Sequence, residues 1–201
     1  MSGPMTGVKI VELGVWVAGP ATGGILADWG ADVVKIEPPS GDPARMFQKI
    51  LGGDLPTNPV FELDNRSKRG IALDLTSEEG LEVALDLIAE ADVFVTNLRI
   101  GALERLGLGA EHLCERFSRL VYCHITGFGS RGPMADCPGY EHTVAAYSGR
   151  MRLFSGTVDR AGPVFSALQV GVHACAQSAV AGILAALLAR GENGAGRLVE
   201  T

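Results

Sequence analysis

Apolar and polar positions alternate in blocks along the first two thirds of the chain. Residues 8–14, VKIVELG, read as a buried strand, and ATGGILADWGA (21–31) as a short helix of small residues. DVVKIE (32–37) is a second strand. PPSGDPAR (38–45) is a turn, and the chain stays irregular and rich in glycine and proline to about Pro59. In SKRGIALDL (67–75), Ile71, Leu73 and Leu75 alternate with other residues, the pattern of a half-buried strand. Residues 77–91 follow as a helix, with Thr76 or Ser77 as its cap. Glu78 and Glu79 lie in its first turn, where the helix dipole favours negative charge. ADVFVTNL (91–98) is a strand, GALERLGLG (101–109) and AEHLCERF (110–117) are short helices, and RLVYCHITGFG (119–129) is a strand running into a glycine turn.

Strands alternating with helices from residue 8 to about 129 predict an α/β fold: a parallel sheet with helices on its faces. Ligands on such sheets bind at the carboxyl ends of the strands. Four segments fall there: VWVAGP, EPPSGD, TNLRIG and TGFGSRGP. Past Pro133 the character changes. Residues 139–151 predict a helix with an apolar stripe of Val144, Ala145 and Met151, and 154–165 a loop. Residues 170–190 predict a long small-residue helix stopped by Gly191. The final RLVET reads as the start of another strand. The expectation is one large domain, with a βα core over about 1–133 and a connecting loop and long helix over about 134–201, in a protein that continues further.

Composition narrows the function. Of 201 residues, 47% are hydrophobic and 20% charged, enough apolar material for a packed core. The net charge is −6, no basic block stands out, and aromatics are only 6%, so a nucleic-acid surface is not expected. MSGPMTGVKI lacks the basic start and apolar run of a signal peptide, and the longest apolar stretch, Ala179–Ala189, is short for a membrane span. Cys114, Cys123, Cys137 and Cys175 show no CxxC spacing and read as reduced thiols of a cytoplasmic protein. His112 and Cys114 have no second ligand pair nearby, so no metal is expected.

The glycine turn after the first strand invites comparison with a dinucleotide site, which needs G-x-G-x-x-G. Here the run is Gly14-Val-Trp-Val-Ala-Gly19-Pro20-Ala-Thr-Gly23-Gly24. The spacing is wrong, Trp16 and Val17 are bulky, and Pro20 removes a backbone donor. Glu37 stands near the end of the second strand, where a ribose-binding acid would be, but acids at strand ends are common. The spacing disfavours a nicotinamide or flavin.

Five segments in order resemble the family III CoA-transferases. They are VKIVELGVWVAGPATGGILADWGADVVKIEPPSGDPAR, NRSKRGIALDLTSEEG, ADVFVTNLRIGALERLGLG, ITGFGSRGPMADCPGYE and AVAGILAALLARGENGAGRLVE. The resemblance implies a large α/β domain, a Rossmann-like parallel sheet with helices on both faces, built from both the front and the back of a chain about twice this long. It also implies an interlocked dimer, either of identical chains or with a related subunit. Coenzyme A, brought as acyl-CoA, and a carboxylic acid would be the partners. Carried over, the residues that meet coenzyme A are Val17, Ala18, Leu73, Asn97, Leu98, Arg105 and Tyr140. Val17 and Ala18 follow the first strand, Leu73 lines the adenine pocket, and Asn97 and Leu98 close it. Arg105 reaches a phosphate, a role suited to guanidinium chemistry in its own right. Tyr140 faces the thioester. Lys68 and Arg69 are a further basic pair for the phosphates, while Pro38 stands where some relatives carry a basic residue.

The family's reaction runs through an aspartate that takes the acyl group and then coenzyme A itself. That aspartate lies ten residues before the glycine of GILAALL. Here the glycine is Gly182 and the residue ten before it is Val172. Between Ala161 and Arg197 the only acid is Glu192, beyond the predicted helix. Glu141, in PGYE, is the nearest acid in a matched segment, and His173 is a neighbouring base more in keeping with a structural role. A racemase is disfavoured, because the histidine and aspartate that branch uses are absent. Three readings follow. The protein is a transferase using Glu141 or an acid beyond residue 201; or a non-catalytic subunit or half paired with an aspartate-bearing copy; or a CoA-binding regulatory protein.

Overall fold

The computed structural model describes residues 3–46, 49, 52–153, 159, 161–166 and 168–201. Strand β1 (Lys9–Leu13) leads through α1 (Ala18–Asp28) into β2 (Asp32–Glu37). A 3-10 turn (Pro43–Met46) and α2 (Pro59–Asn65) precede β3 (Arg69–Ala72). Then come α3 (Glu78–Ala89), β4 (Val93–Thr96), α4 (Ile100–Arg105), α5 (Ala110–Arg116) and β5 (Val121–His124). The last part holds α6 (Glu141–Tyr147), α7 (Arg150–Leu153), α8 (Val170–Asn193) and β6 (Leu198–Glu200). The sheet runs β3-β2-β1-β4-β5-β6 with every pairing parallel. This is the Rossmann order, and the parallel pairing is what the alternation of elements predicts.

Neighbouring strand residues face opposite layers, so each strand feeds two cores. Ile10, Val33, Val93, Val95 and Val121 pack against α1 and α8, with Leu26, Ala179, Val180 and Ile183 facing them. Val11, Ile36, Phe94 and Tyr122 pack against α3, α4 and α5 through Ala84, Ile88, Leu103 and Leu113. Tyr122 buries its ring but gives its hydroxyl proton to the Leu108 carbonyl at 2.9 Å. The polar tip is thereby satisfied inside an apolar layer.

Several boundaries differ from the sequence reading. Helix α1 begins at Ala18, three residues early, because Pro20 sits in the first turn, where a missing N–H loses no helical bond. Helix α2, in a stretch past the irregular chain to which the sequence reading assigns no element, is capped by Asn58, whose side chain accepts from Val60 and Phe61, with Pro59 starting the helix. The stretch 139–151 forms two helices, broken at Gly149 (φ 75°). Residues 154–158 and 160 of the expected loop lie outside the described residues. Helix α8 runs through Gly191 to Asn193 and ends on Gly194 in the left-handed region. At 24 residues and a mean hydropathy of 1.8 over its apolar window, α8 is long and apolar enough to cross a membrane, which the run Ala179–Ala189 alone is not. In this fold Ala176, Ala179, Val180, Ile183 and Ala186 of the helix are buried in the core.

Candidate functional site

Strand order reverses direction between β1 and β4, which opens a crevice at their carboxyl ends. The turn after β1 and the residues after β4 flank it, and one side chain joins them. Asn97 accepts from the Val15 N–H at 2.9 Å and donates to the Val15 carbonyl at 2.8 Å. Both halves of its amide are therefore committed to backbone, so the residue expected to close an adenine pocket also holds the turn in place. A Cβ on Gly19 would lie 3.2 Å from the same Asn97 oxygen. Trp16, next along the turn, adopts φ 64°, which costs a non-glycine residue roughly 1–2 kcal/mol. Its N–H donates to Asp42 Oδ1 at 3.1 Å.

Beneath the turn lies a buried ionic cluster that the sequence reading does not contain. Lys35 Nζ donates to Glu12 Oε1 at 2.9 Å and to the Gly14 carbonyl at 2.8 Å, and stands 3.0 Å from Asp42 Oδ2. Lys68 Nζ lies 2.7 Å from Glu12 Oε2 and donates to the Pro20 carbonyl at 2.7 Å and to Asn65 at 3.1 Å. All four charged side chains are at most 2% exposed, and two cations balance two anions. Gly23 admits the cluster, since a Cβ there would stand 2.0 Å from Glu12 Oε2. Burial pulls the Lys35 ammonium down, but Glu12 and Asp42 outweigh it, so its pKa lies above 10.5. Lys68 has one shared carboxylate; burial dominates and its pKa falls below 10.5.

That placement corrects the phosphate reading of the basic pair. Lys68 is enclosed in the cluster, and Arg69 pairs with Asp32 at 2.7 Å on the amino edge of the sheet, away from the crevice. Arg45 is the basic side chain near the end of β2, where Pro38 lacks a charge. It grips Glu37 through two bonds of 2.7 Å and lies 4.0 Å over the Phe61 ring.

Val17 and Ala18 are buried at the start of α1, in the crevice with Asn97 and Leu98. Leu98 offers its carbonyl to His124 Nε2 at 2.9 Å. Leu73 lies just past β3, its N–H bonded to the Glu37 carbonyl, and its side chain packs into the α3–α5 layer. Arg105 is exposed at the end of α4 and makes no ion pair among the described residues. Tyr140 caps α6, is half exposed, and stacks on His142 at 5.8 Å and 5°.

The first turn of α8 closes the site. Val172 packs against Val17, Ala21 and Ala176, which sets position 172 directly beside the β1–α1 turn. Glu141 caps α8 from another element: it accepts from Gly171 N–H at 3.1 Å and Val172 N–H at 2.8 Å, and pairs with Arg150. Gly171 leaves room for it, because a Cβ there would be 2.9 Å from Glu141 Oε2. Burial raises the Glu141 pKa, yet Arg150 and the two helix N–H groups more than offset this and hold it below 4.5. His173 turns the other way. Its Nδ1 meets the Gln169 carbonyl at 2.8 Å, so Nδ1 carries the proton and Nε2 faces Asp64 Oδ1 at 3.7 Å. Asp64 is 3% exposed, and its Oδ2 has no hydrogen-bond partner among the described residues. Burial pushes its carboxyl above 3.8 despite His173, Lys68 and Arg66 nearby.

Among the described residues, no group of three His, Cys, Asp or Glu side chains is placed to hold a metal ion. The profile of CoA-transferase family III matches residues 5–201. The chain is 37% identical over 202 residues to (R)-2-hydroxy-4-methylpentanoate CoA-transferase of Clostridioides difficile, covering 97% of this chain and 49% of that protein. It is 41% identical over 161 residues to cinnamoyl-CoA:phenyllactate CoA-transferase of Clostridium sporogenes, covering 79% of this chain and 38% of that one. A CAIB/BAIF family protein from Brucella suis superposes with a TM-score of 0.89 at 36% identity, over 99% of this chain and 53% of the other. The chain belongs to CoA-transferase family III, and it spans about half the length of the curated relatives it matches.

Arg150, Asp64 and the clamping role of Asn97 escape the sequence reading. The Glu141–Arg150 spacing along two short helices was a usable signal; the Asp64–His173 approach, across more than a hundred residues of chain, carried none.

Proposed function

We propose that the protein carrying this chain is a CoA-transferase that moves coenzyme A between an acyl-CoA and a carboxylic acid in the cytoplasm. The observation that carries this is the crevice itself: Val17, Ala18, Asn97 and Leu98, the positions matching the family's coenzyme A contacts, meet at the reversal of strand order. Arg105, exposed at the end of α4 with no ion pair among the described residues, is the residue for a phosphate. In the reaction, an enzyme carboxylate attacks the thioester carbonyl and coenzyme A leaves as thiolate, giving a mixed anhydride. The thiolate then attacks the enzyme-side carbonyl, releasing the donor acid and leaving an enzyme–CoA thioester. The acceptor acid reverses both steps.

Which carboxylate serves is the open chemical point. Val172 offers none, and Glu141 spends its oxygens on Arg150 and the α8 N–H groups. That engagement favours the second reading, in which this chain is the non-catalytic half of a heterodimer and a related, aspartate-bearing subunit supplies the nucleophile; a homodimer belongs with the first reading, in which the acid is Glu141 or one beyond residue 201. Calorimetric titration of the full-length protein with coenzyme A tests the binding claim; no heat at millimolar ligand refutes it. Incubation with an acyl-CoA and hydroxylamine converts any activated carboxylate to a hydroxamate. A hydroxamate on Glu141 would make this chain catalytic and overturn the second reading.

A further inference from the structure

We propose that Asp42 and Lys35 are positioning residues that fix the Gly14–Trp16 backbone in its ligand-ready shape before coenzyme A arrives. The inference rests on the coenzyme A reading of the crevice and goes beyond it, since neither side chain reaches the crevice surface. Lys35 and Asp42 are both almost fully enclosed.

The argument is an accounting of backbone groups. In a loose βα turn, the polar groups of residues 14–16 would face water. Here the Gly14 carbonyl goes to Lys35, both polar groups of Val15 go to Asn97, and the Trp16 N–H goes to Asp42. Asp42 Oδ1 also takes the Ala44 N–H at 2.9 Å, and the Asp42 N–H is held by Glu37 at 2.8 Å. The carboxyl ends of β2, β1 and β4 are therefore cross-linked, through side chains, into one frame.

Two features set this apart from ordinary packing. Trp16 is held at positive φ, a strained state that persists only where its surroundings over-determine it. The clamp also belongs to a cluster that buries four charges, Glu12, Lys35, Asp42 and Lys68, each with a desolvation penalty that an apolar filling would avoid. Burying them gains a single backbone shape, and a preformed turn spares the ligand the cost of ordering it.

The test uses the full-length protein, with amide hydrogen exchange over the 14–19 segment and coenzyme A affinity by calorimetry. In Asp42→Ala, exchange at Val15 and Trp16 accelerates and affinity falls roughly tenfold, the scale of one buried hydrogen-bonded charge removed. Asp42→Asn keeps the acceptor for the Trp16 N–H. It restores most of the protection and most of the affinity, and it serves as the readout if the alanine variant fails to fold. In Asp42→Ala, faster exchange with unchanged affinity overturns the positioning role, and so does unchanged exchange; in Asp42→Asn, loss of both protection and affinity overturns it. A parent protein that protects the turn yet binds no coenzyme A overturns the coenzyme A reading while leaving the clamp standing.

Discussion

On the function proposed above, position 172 is where one side chain separates this chain from the chemistry of its family. The Val172 N–H bonds to Glu141 at the amino end of a 24-residue helix, a place whose dipole stabilises negative charge. A carboxylate there would be favoured and would stand beside Val17 in the crevice. Val172→Asp is therefore expected to yield a hydroxamate at residue 172 when acyl-CoA and hydroxylamine are supplied to the full-length protein. Peptide mass spectrometry reads it out, and an unlabelled residue 172 in a variant that still binds coenzyme A counts against the site. Asp64 offers a separate check. Its folded pKa lies above 3.8, so its contribution to stability is present below that value and is lost as pH rises through the folded pKa. At neutral pH the ionised, half-satisfied carboxylate is a net penalty. Asp64→Asn should raise the melting temperature at pH 7 and lose most of that advantage near pH 4. These contacts were hidden in the sequence for a simple reason: Lys68 opens a strand and looks like a surface cation, and nothing local reveals that Glu12 waits beneath it.

At the scale of elements, the sequence reading succeeds where a periodic pattern is long and fails where it is short. The alternating strands, α3 and α8 announce themselves by period, and Ser77 caps α3 by accepting from Gly80 as its position implies. Ser77→Ala should cost about 1 kcal/mol, read by urea denaturation. Helix α2 has only seven residues, and its signals were the pair Asn58-Pro59 and the buried Phe61 rather than any stripe. The start of α1 was obscured because proline reads as a breaker, although the first turn of a helix accepts it. Helix α8 carries the layer that α1 shares, and Ile183 lies at its buried centre with no exposure. Ile183→Ala should destabilise the fold by about 2–5 kcal/mol through lost burial and the cavity left behind. A much smaller loss would mean that α8 is held chiefly by the Glu141 cap and the Arg190–Asp92 pair at its two ends.

For the molecule as a whole, the parallel pairing was legible from alternation alone, whereas the strand order and the crevice emerged only from three-dimensional closure. Asn97 and Val15 are 82 positions apart in the chain, and the two bonds between them define the site. The same view exposes what these 201 residues leave uncovered. Leu188 on the outer side of α8 is 74% exposed, and Tyr147, Leu153 and Leu168 are each more than 60% exposed. Strand β6 pairs with β5 on one side and, among the described residues, has no strand on the other, with Leu198 half open. Monomeric proteins rarely present so much apolar surface beside a free strand edge. Expressed by itself, the chain should bind the dye ANS and elute larger than a monomer in size-exclusion chromatography. Leu188→Glu together with Leu198→Lys should reduce both signals, because the charges oppose burial of those faces. A sharp monomer peak without dye binding would show that these surfaces are at ease in water.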